Sequence, residues 1–139
     1  MGEMKALLEK YGIILQLVPI NKPGYYLTEY KTIFISDQLD DLSQIKVILH
    51  EAGHGIMHDD LKTLYKIDGY HAKMEYQAER FMLSELLKIY VSMTNMDIQD
   101  FDFMKFIEQN DLDPNYQDVI KELAQKYTII KDIHENPQY

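Results

Sequence analysis

Ile45-Lys46-Val47-Ile48-Leu49-His50-Glu51-Ala52-Gly53-His54-Gly55-Ile56 is the stretch on which the architecture turns. Ile45, Ile48, Leu49, Ala52 and Ile56 recur at three- and four-residue spacing, so one face of a helix is apolar and needs a packing partner. Just ahead, Asp41-Leu42-Ser43-Gln44 supplies a polar cap and a glutamine at the third helical position, a pattern that opens helices. The helix is predicted to end near His58, before Asp59 and Asp60. Each helical residue advances ~100°, so His50 and His54 project only ~40° apart and Glu51 lies ~60° from His54. Two imidazoles and a carboxylate therefore share one side of the helix. Gly53 and Gly55 each cost about 1 kcal/mol relative to alanine in a helix interior, which predicts that neighbouring groups approach this backbone closely.

Working outward, Met4, Leu7, Leu8 and Tyr11 mark a short amphipathic helix that stops at Gly12. Ile13–Ile20, Tyr25–Tyr30 and Thr32–Ile35 are rich in branched and aromatic residues around an Asn21–Gly24 turn, and read as a small, largely antiparallel sheet. Beyond the motif, a loop of about a dozen residues with a turn at Asp68-Gly69 leads into a helix over Ala72–Tyr90. Its apolar face carries Met74, Ala78, Phe81, Met82, Leu86 and Ile89. Asp97 is expected to cap a helix bearing Ile98, Phe101, Met104 and Ile107. Asp113-Pro114 opens another that buries Val119, Ile120, Leu123 and Tyr127. The fold class is α+β, with the small sheet packed against the motif helix and further helices. One domain is expected over residues 1–139, with a catalytic core over 1–90, C-terminal helices over 91–134 and a frayed tail over 135–139.

The charge balance is acidic, with 14 basic against 23 acidic side chains and a net charge of -9. That disfavours direct nucleic-acid binding, which needs a basic footprint along the phosphates. With no cysteine, there is no disulfide framework, and a metal must be held through nitrogen and oxygen. Apolar runs fall short of the ~20 residues that span a bilayer, and Met1–Tyr11 has charged residues at helical spacing instead of a signal-peptide core. The expectation is a soluble cytoplasmic protein with no membrane association.

His50 and His54 at this spacing form two legs of a zinc site, and three protein ligands in total would leave one position open for water. Glu51, beside the ion rather than on it, is placed as the general base. Zinc binding alone would not need a carboxylate there, so Glu51 argues for hydrolysis. The third ligand has several candidates. Asp60 fits an H-x-x-G-x-x-D spacing, but Met57 occupies the glycine position. His58, one turn past His54, drifts along the axis and suits a supporting role. Glu75 is favoured because it begins the long helix whose Ala78 permits close packing on the glycine-containing motif helix, and Glu79, one turn on, competes with it. Tyr65, Tyr70 and His71 are candidates to stabilise an oxyanion from the intervening loop. Thr32–Ser36 is the candidate sheet edge for an extended peptide.

His50-Glu51-Ala52-Gly53-His54 paired with Glu75-Tyr76-Gln77-Ala78-Glu79-Arg80-Phe81-Met82-Leu83-Ser84-Glu85-Leu86-Leu87 resembles the ImmA/IrrE metallo-endopeptidases, in which a downstream E-x-x-A helix supplies the third ligand. The resemblance covers about Met4 to Tyr90 and includes the order of a short helix and small sheet before the motif. It implies a zincin-like fold, with His50, His54 and Glu75 as ligands to Zn2+, Glu51 as catalytic base and Glu79 as a neighbour. Ala52, often a larger aliphatic residue, and Glu79, often amide or acidic, are the points of departure. Such enzymes are often encoded by phages and mobile elements beside a helix-turn-helix repressor, and some cleave it. The implied function is cleavage of one specific protein partner, a DNA-binding repressor. The alternative is a zinc-containing binding module that regulates a repressor by sequestration with little turnover.

Overall fold

The computed structural model describes residues 2–58 and 69–135, with side chains through residue 128. Its helices are α1 (Gly2–Lys10), α2 (Asp41–Met57), α3 (Tyr70–Thr94), α4 (Phe103–Gln109) and α5 (Gln117–Glu135), and its strands are β1 (Ile14–Val18), β2 (Gly24–Leu27) and β3 (Thr32–Ser36). This is the α+β class expected. Contacts group into two units, Met1–Met82 and Leu83–Tyr139, which divide within α3.

In the first unit the strand order is β1-β3-β2, so the sheet differs from expectation in two respects. Among the described residues only β2 and β3 pair antiparallel, from Gly24 opposite Ile35 to Leu27 opposite Thr32. β1 and β3 pair in parallel, from Ile14 opposite Thr32 to Val18 opposite Ser36. Thr32–Ser36 is thus the central strand and has no free edge; among the described residues the edges are β1 and β2. The cause lies in the Asn21–Gly24 turn, which carries the chain past an open slot rather than into a hairpin. β3 fills that slot, and its end is tied to the turn: Ser36 N–H donates to the Pro23 carbonyl at 2.9 Å, and Ser36 Oγ donates to the Ile20 carbonyl at 2.9 Å. Ile33 and Ile35, on one face of this strand, are both fully buried.

α2 packs on β2 and β3. Its cap falls one residue earlier than the sequence pattern suggests, at Asp40, whose Oδ1 accepts from Ser43 N–H at 2.7 Å. Gln44 then reaches back, its Nε2 donating to the Leu39 carbonyl at 3.2 Å and the Ser36 carbonyl at 3.4 Å. These bonds fix where the motif helix starts relative to the end of β3. The helix closes at His58, as expected.

In the second unit, the single helix expected after Asp97 is two pieces. Asp97 Oδ1 accepts from Gln99 N–H and caps a 3-10 turn at Ile98–Asp100. Asp102 Oδ1 accepts from Met104 and Lys105 N–H and starts α4 afresh. Two aspartates five residues apart each open a helical segment, since a capping side chain satisfies the orphan N–H groups of a new first turn. Met104 is consequently exposed, whereas Phe106 and Ile107 are buried. Asp113 likewise caps a 3-10 turn at Pro114–Tyr116 that runs into α5, where Ile120 and Leu123 are buried as expected. α3 is longer than the periodicity indicates, starting two residues earlier and ending four later than Ala72–Tyr90. Of the expected frayed tail, Glu135 ends α5 and 136–139 lie outside the described residues. No described helix is long and apolar enough to cross a membrane.

Candidate metal centre

Close approach between α2 and α3 builds the site. A Cβ on Gly53 would lie 3.2 Å from Ala78 Cα, 3.3 Å from the Ala78 carbonyl oxygen and 3.1 Å from Phe81 Cδ1. A Cβ on Gly55 would lie 3.0 Å from the Tyr26 ring of β2. Both glycines are thus explained by what leans on them, as the sequence predicts. With Ala78 seated on Gly53, Glu75 lies one turn earlier on α3 and reaches the two imidazoles.

Glu75 Oε2 is 2.9 Å from His50 Nε2, and Glu75 Oε1 is 3.1 Å from His54 Nε2. One donor atom from each of His50, His54 and Glu75 lies within 4.8 Å of the others. Two ligands ~2.1 Å from a tetrahedral ion are roughly 3.4 Å apart, so each of these contacts would open by about 0.3–0.5 Å to admit one. The donor set of two imidazole nitrogens and a carboxylate can hold a divalent cation. His50 and His54 keep 20% and 14% of their side-chain surface and Glu75 keeps 33%, so the group is enclosed yet open to a small ligand.

Each imidazole has a partner behind it. Glu79 Oε1 packs against His50 Nδ1 at ion-pair range. His54 Nδ1 is 3.0 Å from His58 Nδ1, and His58 Nε2 is 2.8 Å from Gln77 Oε1. Burial lowers the pKa of His50, but contact with Glu79 and the charges of Glu79, Glu75 and Glu51 outweigh it and raise the ring overall. Burial also acts on His54, and here it prevails with help from His50 and His58 over the opposing pull of Glu75, holding the ring below the usual histidine range. The carboxyl of Glu51 is displaced as well. With protein charges alone around it, burial pushes its carboxyl up to about 7; Glu75 adds to the rise, and His50 and Lys22 oppose it.

The structure therefore brings together His50, His54 and Glu75, with Glu51 beside them on α2 and Glu79 and His58 behind the imidazoles. Tyr70 and His71 are exposed in the first turn of α3 and do not belong to the converging group. Tyr65 and Asp60 lie outside the described residues. Sequence reading missed Gln77. It sits two positions from Glu75, which places it ~200° round the helix, and only the crossing of α3 over the end of α2 carries it to His58.

No curated protein and no solved structure matches the chain. A family model described as the IrrE N-terminal-like domain, a peptidase family, matches residues 9–133. With the match running across nearly all of the sequence and both halves of the ligand cluster inside it, the chain belongs to the IrrE N-terminal-like peptidase family.

Proposed function

We propose that the protein is a cytoplasmic zinc-dependent endopeptidase that cleaves one protein partner, a helix-turn-helix repressor, with His50, His54 and Glu75 as zinc ligands and Glu51 as general base. The observation that carries this reading is the convergence of both Nε2 atoms on the Glu75 carboxylate. Nitrogen and oxygen donors without cysteine suit zinc, and the donor geometry leaves room for a further ligand. Bound there, zinc supplies Lewis acidity, polarising the scissile carbonyl and lowering the pKa of a water to about 7.

Glu51 does the proton work. Its carboxylate takes a proton from the attacking water and returns it to the leaving nitrogen. His50 and His54 contribute neutral Nε2 lone pairs, and Glu75 contributes charge that offsets that of the cation. β2 is the edge strand nearest the motif, because Tyr26 rests on Gly55. An extended peptide pairing with β2 on the side away from β3 would be aligned by main-chain hydrogen bonds, which favours a linker or locally unfolded segment over a packed core. The family resemblance supports a repressor as substrate. The net charge of -9 adds weak, salt-sensitive attraction for a basic DNA-binding domain.

The test joins metal analysis of the purified chain to mass spectrometry of the repressor encoded beside its gene, after incubation with the zinc-loaded protein. One or a few cuts, lost in Glu51→Gln, are expected. An intact repressor in the presence of zinc-loaded parent chain removes the substrate assignment. Inactivation of the repressor in cells by the Glu51→Gln form would favour sequestration.

A further inference from the structure

We propose that His58 and Gln77 are positioning residues that hold His54 with its proton on Nδ1, so that Nε2 presents a lone pair to the zinc ion. The inference rests on the zinc reading above and extends it to two residues outside the ligand set. Hydrogen-bonding capacity sets the direction along a chain of three side chains. Gln77 Oε1 only accepts, so His58 Nε2, 2.8 Å away, donates to it. A neutral His58 that donates from Nε2 has a lone pair on Nδ1. That lone pair, 3.0 Å from His54 Nδ1, accepts the His54 proton. His54 Nε2 is then free of hydrogen and faces Glu75 and the cation position. Because His58 is only 7% exposed, water does not readily replace Gln77 as its partner.

The relay matters because Glu75 competes with it. Glu75 Oε1 lies 3.1 Å from His54 Nε2 and attracts a proton to the nitrogen that must be bare for coordination. An acceptor waiting at Nδ1 lets the proton reside on the other side of the ring when the cation takes its place. His50 meets the same requirement differently, with the Glu79 carboxylate beside its Nδ1. A ligating histidine commonly has its second nitrogen fixed by a carboxylate or carbonyl, and losing that support typically weakens metal binding by 10–100-fold. Here the support for His54 is a chain of two side chains, ending in an amide oxygen.

The experiment compares Gln77→Met, which keeps length and removes the acceptor, with Gln77→Glu, which keeps an acceptor oxygen. Zinc affinity is measured by chelator competition at pH 8, and 15N NMR of the zinc-loaded parent chain reads the protonation of each His58 nitrogen. Gln77→Met is expected to bind zinc roughly 10–100-fold more weakly, while Gln77→Glu restores affinity to within a few-fold of the parent. In the spectrum, His58 should carry hydrogen on Nε2 alone. Equal affinity of Gln77→Met and parent, equal weakening in both variants, or hydrogen on His58 Nδ1 would overturn the relay while leaving the zinc site standing. The spectrum decides even if a variant fails to fold. A parent chain that binds no zinc would instead bring down the metal reading, and the relay with it.

Discussion

α3 carries one apolar stripe along its length, yet its two halves do different work. Met74, Ala78, Met82 and Leu86, four residues apart, are all buried. In Tyr70–Met82 the flanks of that stripe are Glu75, Gln77 and Glu79, each against an imidazole of α2 or of its C-cap residue. In Leu83–Thr94 the surroundings are apolar: Leu83 and Leu87 are almost fully buried, and Tyr90 stacks edge-on against Phe106 with ring centroids 5.1 Å apart. A shared helical period thus specifies burial in both halves, while the side chains beside the stripe decide whether the surface performs chemistry or packs. The first half retains half-exposed charges whose energies depend on partners; the second gains stability from apolar area removed from water.

That contrast is most open to attack at the ligands. Glu75→Ala should weaken zinc binding more than a hundredfold, beyond the 10–100-fold typical of an outer partner such as Glu79, and chelator competition ranks the two. Comparable losses in Glu75→Ala and Glu79→Ala would dissolve the distinction between them. Glu51→Gln should keep zinc and fold while slowing cleavage by about 10²–10⁴-fold, the usual worth of a positioned base. Undiminished turnover by the zinc-loaded variant would defeat the proposed role of Glu51.

In the apolar unit, Phe106→Ala removes a fully buried ring and should lower unfolding stability by about 3–5 kcal/mol. Denaturant titration reads this directly, and a loss under ~1 kcal/mol would mean that the ring contributes little.

Glu51 also offers a pH signature in chelator-treated protein. Its folded pKa, about 7, stands above its ordinary 4.5, so its neutral form is the one the fold favours. Its contribution is fully present below pH 4.5 and is lost as pH rises toward 7. Glu51→Gln should therefore stabilise the metal-free protein at pH 8 relative to pH 5 by on the order of 1–3 kcal/mol. An identical effect of the substitution at both pH values would contradict the shift. At the bottom of the scale, Lys88→Ala removes an exposed ion pair to Glu85 of 3.2 Å, and its effect on thermal stability should stay below about 0.5 kcal/mol. A larger loss would show that polar groups matter in the second half of α3 as well.

What the residues alone determined is local. His50, Glu51 and His54 share one helix, and 3.6 residues per turn places their side chains together whatever surrounds them. Gly53, Gly55 and Ala78 announce close packing because each lacks bulk that a neighbour would strike. The helices around Ile48, Met82 and Ile120 follow from apolar periodicity, which survives any arrangement that buries one face. Tertiary structure decided the rest, where two segments had to meet. β3 entered the sheet between β1 and β2, a choice of strand order that alternation of side chains does not encode. Asp40 rather than Asp41 became the cap of α2, and Asp97 and Asp102 both became caps where one helix was expected, so the surrounding chain selected where helices began. Gln77 became legible only once α3 crossed α2, because its partner lies 19 positions away and on no common helical face. Spacing can align groups on one element; the orientation of a second element, set by Ala78 against Gly53, chose which of its side chains reach them.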